Sequence, residues 1–225
     1  MKVENLSEHF EQEAQEAIKG MIEQLRAKPP MVLEQLQFDR TAVIVMDLVN
    51  GFAKEGPLAD ERVKSLIPGI SRLLSEASKR KIEMLAFRDC HSKESKEMKF
   101  YPAHCLADEK ESELVDEIKG YHFSHVISKN STNGFHTTEF LNWLKESRVD
   151  TFILVGDCTD LCIQHFAITL QTYLNQYNFE GKIVIPMDLV DTFHLGIHHG
   201  DLMNIMSLYQ MMSNGIELVK EIQYQ

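Results

Sequence analysis

The feature that most constrains this chain is a series of short, continuously apolar segments set between longer stretches of helical period. Residues 41–46 (TAVIVM), 82–87, 125–128, 151–155, 182–186 and 215–219 read as strands, and residues 62–80, 137–147, 160–173 and 199–213 read as helices. A strand wetted on one face alternates apolar and polar residues. Strands without that alternation are buried on both faces, which calls for a mostly parallel sheet covered by helices. The fold class expected is therefore α/β, a three-layer α-β-α body spanning residues 41–225. There is no internal repeat and no low-complexity tract.

Ahead of the body lies a segment of another kind. Phe10, Ala14, Ile18, Met21, Ile22 and Leu25 recur at helical spacing with Glu, Gln and Lys between them, so residues 5–28 are expected to form an amphipathic helix. Asn5 and Glu8 suit a capping box at its start, and Pro29-Pro30 stops it, because proline lacks the amide donor and restricts the residue before it. Residues 1–40 thus read as an N-terminal helical extension. Its apolar stripe suits packing on the body or on a second copy in a homo-oligomer.

Length and charge narrow the partners. At 225 residues the chain holds one domain, or one domain plus an appendage. Its 34 acidic against 23 basic side chains leave a net charge of −11, which argues against nucleic acid, since that affinity comes from Lys and Arg neutralising phosphates. A small uncharged or cationic molecule is the easier partner. Four unevenly spread cysteines do not make a disulfide framework, so the thiols are read as reduced. The polar, acidic N-terminal stretch lacks the apolar core of a signal peptide, and no apolar run is long enough to span a bilayer. The cytoplasm is the compartment expected.

In open α/β sheets functional residues sit just past the carboxyl ends of the strands. Asp47 and Lys129 occupy two such positions, and a small-residue turn, Gly156-Asp157-Cys158-Thr159-Asp160-Leu161-Cys162, follows a third strand. Cys162 falls in the first turn of a helix, where the helix dipole favours thiolate, and a nearby lysine would lower the thiol pKa further. A carboxylate within reach can take the proton and later activate water. Asp47, Lys129 and Cys162 can therefore form a nucleophilic set for attack on a carbonyl carbon. Cys158 stands four residues from Cys162, outside the C-x-x-C spacing of dithiol redox sites, and reads as structural. His198 and His199 open a helix with nothing nearby in sequence to pair with them, and are read as capping or packing residues.

A second constellation follows the 82–87 strand. Asp89 and His91 are two residues apart and point to one side of an extended segment, while His104 returns from a later loop. Two imidazoles with one or two carboxylates suit zinc, with iron or manganese as alternatives, and leave positions open for water or substrate. Glu97 or Glu94 is available as a further ligand.

Together these residues resemble the isochorismatase-like cysteine hydrolases, most closely the nicotinamidases, over the body from about Thr41 onward. Val155-Gly-Asp-Cys-Thr-Asp-Leu-Cys162 is similar to the family's Gly-x-x-Thr-x-x-Cys nucleophile turn. The resemblance implies Cys162 as nucleophile, Asp47 and Lys129 as its catalytic partners, and a cis peptide between Asp157 and Cys158. It further implies an oxyanion hole from the amides of Cys158 and Cys162. The Asp-x-His of nicotinamidases corresponds to Asp89 and His91, and their aromatic-Pro-x-His-Cys to Tyr101–Cys105, giving His104 as a ligand. Glu97, seven residues earlier, stands where some members place a glutamate ligand. Two positions depart from the family: its Asp-x-Gln-x-Asp-Phe has Val49 and Gly51 here in place of glutamine and the second aspartate, and a histidine that many members carry between the ligands is absent. The activity implied is hydrolysis of a small amide, nicotinamide foremost, with a divalent metal to hold the pyridine ring, no organic cofactor, and Phe52, Tyr101 and Leu161 walling the pocket. Another small-amide or ureido hydrolase is the nearest alternative, and a non-catalytic binding member the next.

Overall fold

The computed structural model describes residues 6–224. In chain order its principal elements begin with α1 (Phe10–Arg26), β1 (Met31–Val32), β2 (Thr41–Met46), α2 (Asn50–Ala53), α3 (Glu61–Ser65), α4 (Ile67–Lys79) and β3 (Glu83–Asp89). They continue with α5 (Asp116–Lys119), β4 (His125–Lys129), α6 (Thr138–Glu146), β5 (Thr151–Asp157), α7 (Gln164–Tyr177) and β6 (Lys182–Pro186). The last are β7 (Val190–Asp191), α8 (Gly200–Ser213), β8 (Glu217–Val219) and β9 (Ile222–Gln223).

The main sheet runs β4-β3-β2-β5-β6-β8, with the short β7 pairing the end of β5, and every pair is parallel. The three-layer α/β expectation is met. All six residues of β2 are buried, and they divide between the two faces. Val43 and Val45 pack with Ile70, Leu73, Leu74 and Ala77 of α4, whereas Ala42, Ile44 and Met46 pack with Phe140 of α6 and Phe166 and Leu170 of α7. From β2 the chain first builds outward through β3 and β4 and then returns to add β5 on the other side. The strand order therefore reverses beside β2, where a crevice opens at the carboxyl ends.

Several boundaries differ from expectation for local reasons. The 62–80 helix is two helices, because Pro68 enters at the start of α4 and cannot continue the hydrogen-bond ladder of α3. The 160–173 helix opens as a π turn, Thr159–Ile163, before α7, which runs on to Tyr177 and ends at Asn178 in the left-handed region (φ 52°). The capping box drawn at Asn5 lies outside the described residues. Helix α1 starts at Phe10 after His9, which makes no side-chain cap bond.

The extension is fastened to the far end of the chain. β1 pairs with β9 through Met31↔Ile222 and Val32↔Gln223, Leu33 is fully buried, and Leu25 joins the core shared with α8. Among the described residues, no helix is long and apolar enough to cross a membrane.

Candidate active site

Three neighbouring strands carry the central side chains to one point. Lys129 ends β4, Asp89 ends β3 opposite it in register, and Asp47 follows β2. Asp47 has φ 52°, a conformation non-glycine residues rarely adopt, while its amide still donates to Phe87 O (3.1 Å) and so keeps it beside β3. On the other side of β2, Gly156 (φ 118°) passes so close to Met46 that a Cβ would sit 2.0 Å from the Met46 carbonyl oxygen, so glycine is required there. The following Asp157–Cys158 peptide is cis, and the π turn then brings Cys162 over the strand ends.

Lys129 Nζ stands at the centre of the cluster. It is 2.9 Å from Asp47 Oδ2, 2.5 Å from Asp89 Oδ1, and donates to Cys162 Sγ at 3.4 Å and to Ser131 O at 3.1 Å. Lys129, Asp47 and Cys162 are all buried. The structure thus brings together the three residues singled out for nucleophilic chemistry. Lys129 and Asp47 meet as a buried ion pair, with the Cys162 thiol also beside the Asp47 carboxylate.

The electrostatics correct one expectation. The thiol of Cys162 was expected to be acidified, yet its pKa is pushed well above the ordinary value. Burial dominates and overcomes the downward pull of Lys129, the largest of the charge effects, while Asp47 and Asp89 add to the rise. At rest Cys162 is a thiol. Burial likewise raises Asp47 to about 6 against the pull of Lys129, with the charge of Asp89 adding to the rise. Burial opposes the charge of Asp89 as well, but Lys129, with the imidazoles of His104 and His91 beside it, holds its pKa below the usual carboxylate range. Lys129 is held well above its usual value because Asp47 and Asp89 overcome the cost of burial. Asp157, also buried, is pushed well up by burial and by the charge of Asp47.

Asp89 faces two ways. Its second oxygen lies 3.3 Å from His91 Nε2 and 3.6 Å from His104 Nε2. One ligand atom from each of these three buried residues falls within 4.8 Å of the others, a group able to hold a metal ion. The ring orientations suit that use. His104 Nδ1 lies 2.8 Å from Pro102 O, which only accepts, so Nδ1 carries the proton and Nε2 offers its lone pair. His91 Nδ1 faces Asn130 Oδ1 at 3.2 Å, and its buried Nε2 has no hydrogen-bond partner. Glu97 stands outside the trio: its Oε2 is 3.9 Å from His91 Nε2, while Oε1 accepts from the Thr132 amide at 2.8 Å.

A narrow cavity of about 50 Å³ opens onto these groups, lined by Asp89, His104, Cys158 and Cys162. Phe52, Tyr101 and Leu161 line it, and so do Leu58, Val63, Thr132 and Phe193, which sequence reading passed over. Position 51 is closed to a side chain by packing, since a Cβ on Gly51 would fall 2.5 Å from Cys105 Sγ. Val49, in place of glutamine, is core. A second correction concerns His198, read as unpaired: its Nε2 meets Asp160 Oδ2 of the π turn at 2.8 Å. The two are 38 residues apart in sequence, so no local pattern could show it.

Comparison with known proteins agrees with the geometry. Nicotinamidase 1 of Arabidopsis thaliana is 27% identical over 212 residues, covering 81% of this chain and 86% of that protein. The L. infantum protein PnC1 in complex with nicotinate superposes with a TM-score of 0.71 at 16% identity, over 84% of this chain and 98% of that one. The pyrazinamidase of Pyrococcus horikoshii in complex with zinc gives 0.67 at 20% identity, over 80% and 98%. These likenesses share the fold. Residues 41–214 match the Isochorismatase domain, and the chain belongs to that family.

Proposed function

We propose that the protein is an amidohydrolase that cleaves nicotinamide to nicotinate and ammonia through a thioester on Cys162. The observation that carries this reading is the single buried contact set in which Lys129 Nζ meets Asp47, Asp89 and Cys162 Sγ at the floor of an aromatic-lined cavity. Asp47, ionised above about pH 6 and beside the Cys162 thiol, takes the thiol proton as Sγ attacks the amide carbon. Lys129 balances the negative charge that passes between carboxylate and sulfur. The amides of Cys158 and Cys162 receive the oxyanion, a role worth about 3 kcal/mol per donor. Asp47 then returns the proton to the leaving nitrogen, the C–N bond breaks, and ammonia departs. Water gives a proton to Asp47 and attacks the thioester, and collapse releases the acid with the proton restored to sulfur.

Asp89, His91 and His104 would hold a divalent ion, zinc foremost, as a Lewis acid fixing the pyridine nitrogen. Phe52, Tyr101 and Leu161 wall the ring. The test is ammonia release from a panel of nicotinamide, pyrazinamide and ureido substrates, with and without chelator, by wild type and Cys162→Ala. Turnover of nicotinamide by wild type and its loss in the variant are expected. Full activity in the variant would refute the cysteine mechanism, and turnover of a ureide alone would refute the substrate.

A further inference from the structure

Behind the nucleophile turn lies a strap, residues 192–199, that the mechanism above does not use. One end is held by buried Thr192, whose hydroxyl donates to Asp160 Oδ1 at 2.5 Å and whose carbonyl accepts from Arg62 Nε at 2.9 Å. The strap turns at Gly196 (φ 57°), where Leu195 and His198 exchange backbone hydrogen bonds, and returns to Asp160 through His198. His198 does three things there. Nε2 meets Asp160 Oδ2 at 2.8 Å, Nδ1 faces Phe193 O at 3.0 Å, and the imidazole stacks on the Phe193 ring with centroids 3.9 Å apart and planes 7° from parallel. The Phe193 ring also lines the cavity with Cys158, Leu161 and Cys162.

We propose that His198 is a positioning residue for substrate: clamped between Asp160 of the nucleophile turn and the Phe193 carbonyl, it holds the Phe193 ring as a fixed wall of the pocket. This deepens the proposed amide hydrolysis and rests on it for the ring being positioned. The wall faces substrate while His198 touches none of Asp47, Lys129 or Cys162, so its loss loosens ring binding and spares the chemical step. An aromatic contact of this kind sets the scale at about five- to tenfold in KM, with kcat within about twofold.

The test is steady-state ammonia release from nicotinamide by wild type, His198→Ala, Phe193→Ala and the double variant. Expected are a raised KM in each single variant and a double variant no worse than Phe193→Ala, since one residue acts through the other. His198→Gln, which keeps a polar donor but loses the stacking ring, carries the same expectation if His198→Ala folds poorly. An unchanged KM, a fall in kcat at unchanged KM, or additive effects would overturn the proposal. Should wild type release no ammonia from nicotinamide, the functional reading fails separately, and alkylation of Cys162 by iodoacetamide against the bulkier iodoacetanilide, mapped by mass spectrometry, decides this one. A fixed wall excludes the anilide, and His198→Ala is expected to narrow that discrimination about fivefold. Equal discrimination in variant and wild type would overturn it.

Discussion

Asp47→Asn should stabilise the fold while abolishing turnover. The side chain keeps its shape, but the buried charge disappears. Burial raises the carboxyl from 3.8 to about 6 even with Lys129 beside it, and at about 1.4 kcal/mol per pH unit the ionised form costs the native state about 3 kcal/mol at pH 8. The sign follows from linkage. A carboxyl whose folded pKa lies above its unfolded value stabilises the protein below the unfolded pKa, and that contribution is lost as pH rises through the folded one. The neutral amide does not titrate, so the variant's advantage is largest near pH 8, falls to about half at pH 5, and fades toward pH 4. The attraction of Lys129 is already contained in the value of about 6, so the gain to be seen at pH 8 is up to about 3 kcal/mol. Urea denaturation of both proteins at pH 8 and pH 5, each with chelator, measures it. A variant less stable than wild type at pH 8, or a gap that does not shrink on acidification, would refute the electrostatic argument. Ammonia release by the same variant should fall about 10²- to 10⁴-fold, the range for a lost general base.

Other consequences are as direct. The acid limb of kcat/KM should bend near pH 6 with the loss of one ionised group, since Asp47 must be unprotonated to act; a limb near pH 4 would assign the base elsewhere. Zinc binding to chelator-stripped protein, followed by equilibrium dialysis, should weaken at least tenfold or so in His104→Ala, and by less than about threefold in Glu97→Gln, which lies outside the ligand trio. Gly51→Ala should lose about 1–3 kcal/mol in urea denaturation because its Cβ meets Cys105 Sγ. Gly20→Ala, in mid-helix with nothing within 4 Å of the added carbon, should gain up to about 1 kcal/mol.

What could be read from the chain followed the range of each interaction. Strands β2, β3 and β5 announce themselves because burial on both faces leaves no polar alternation, and the strand-end rule then picks out Asp47 after β2, as it picks out Lys129 at the end of the edge strand β4, whose residues alternate between buried and exposed. Strands β1, β7 and β9 are two residues long, too short to show a period, and exist only through partners distant in sequence. The break between α3 and α4 was visible in Pro68, though the helical spacing on both sides hid it. The site shows the same division. His91 and His104 were legible as residue types, but that Glu97 turns toward the Thr132 amide depends on a loop fold. The direction of the Cys162 pKa was missed because its dominant cause is burial, with charges contributed by three other strands, whereas the local sequence offers only the helix start and a presumed lysine.

The fastening of β1 to β9, and of α1 to α8, also bears on synthesis. Contacts between segments far apart in sequence have long loops to close, and here α1 and β1 leave the ribosome well before α8 and β9, on which they dock. Until α8 emerges, the amphipathic stripe of α1 lacks its seat, while the central strands β2, β3 and β5 can already associate. The extension is thus a late seal: cutting it away would leave the C-terminal strand with a bare edge, and trimming the C-terminus would set the N-terminal helix adrift.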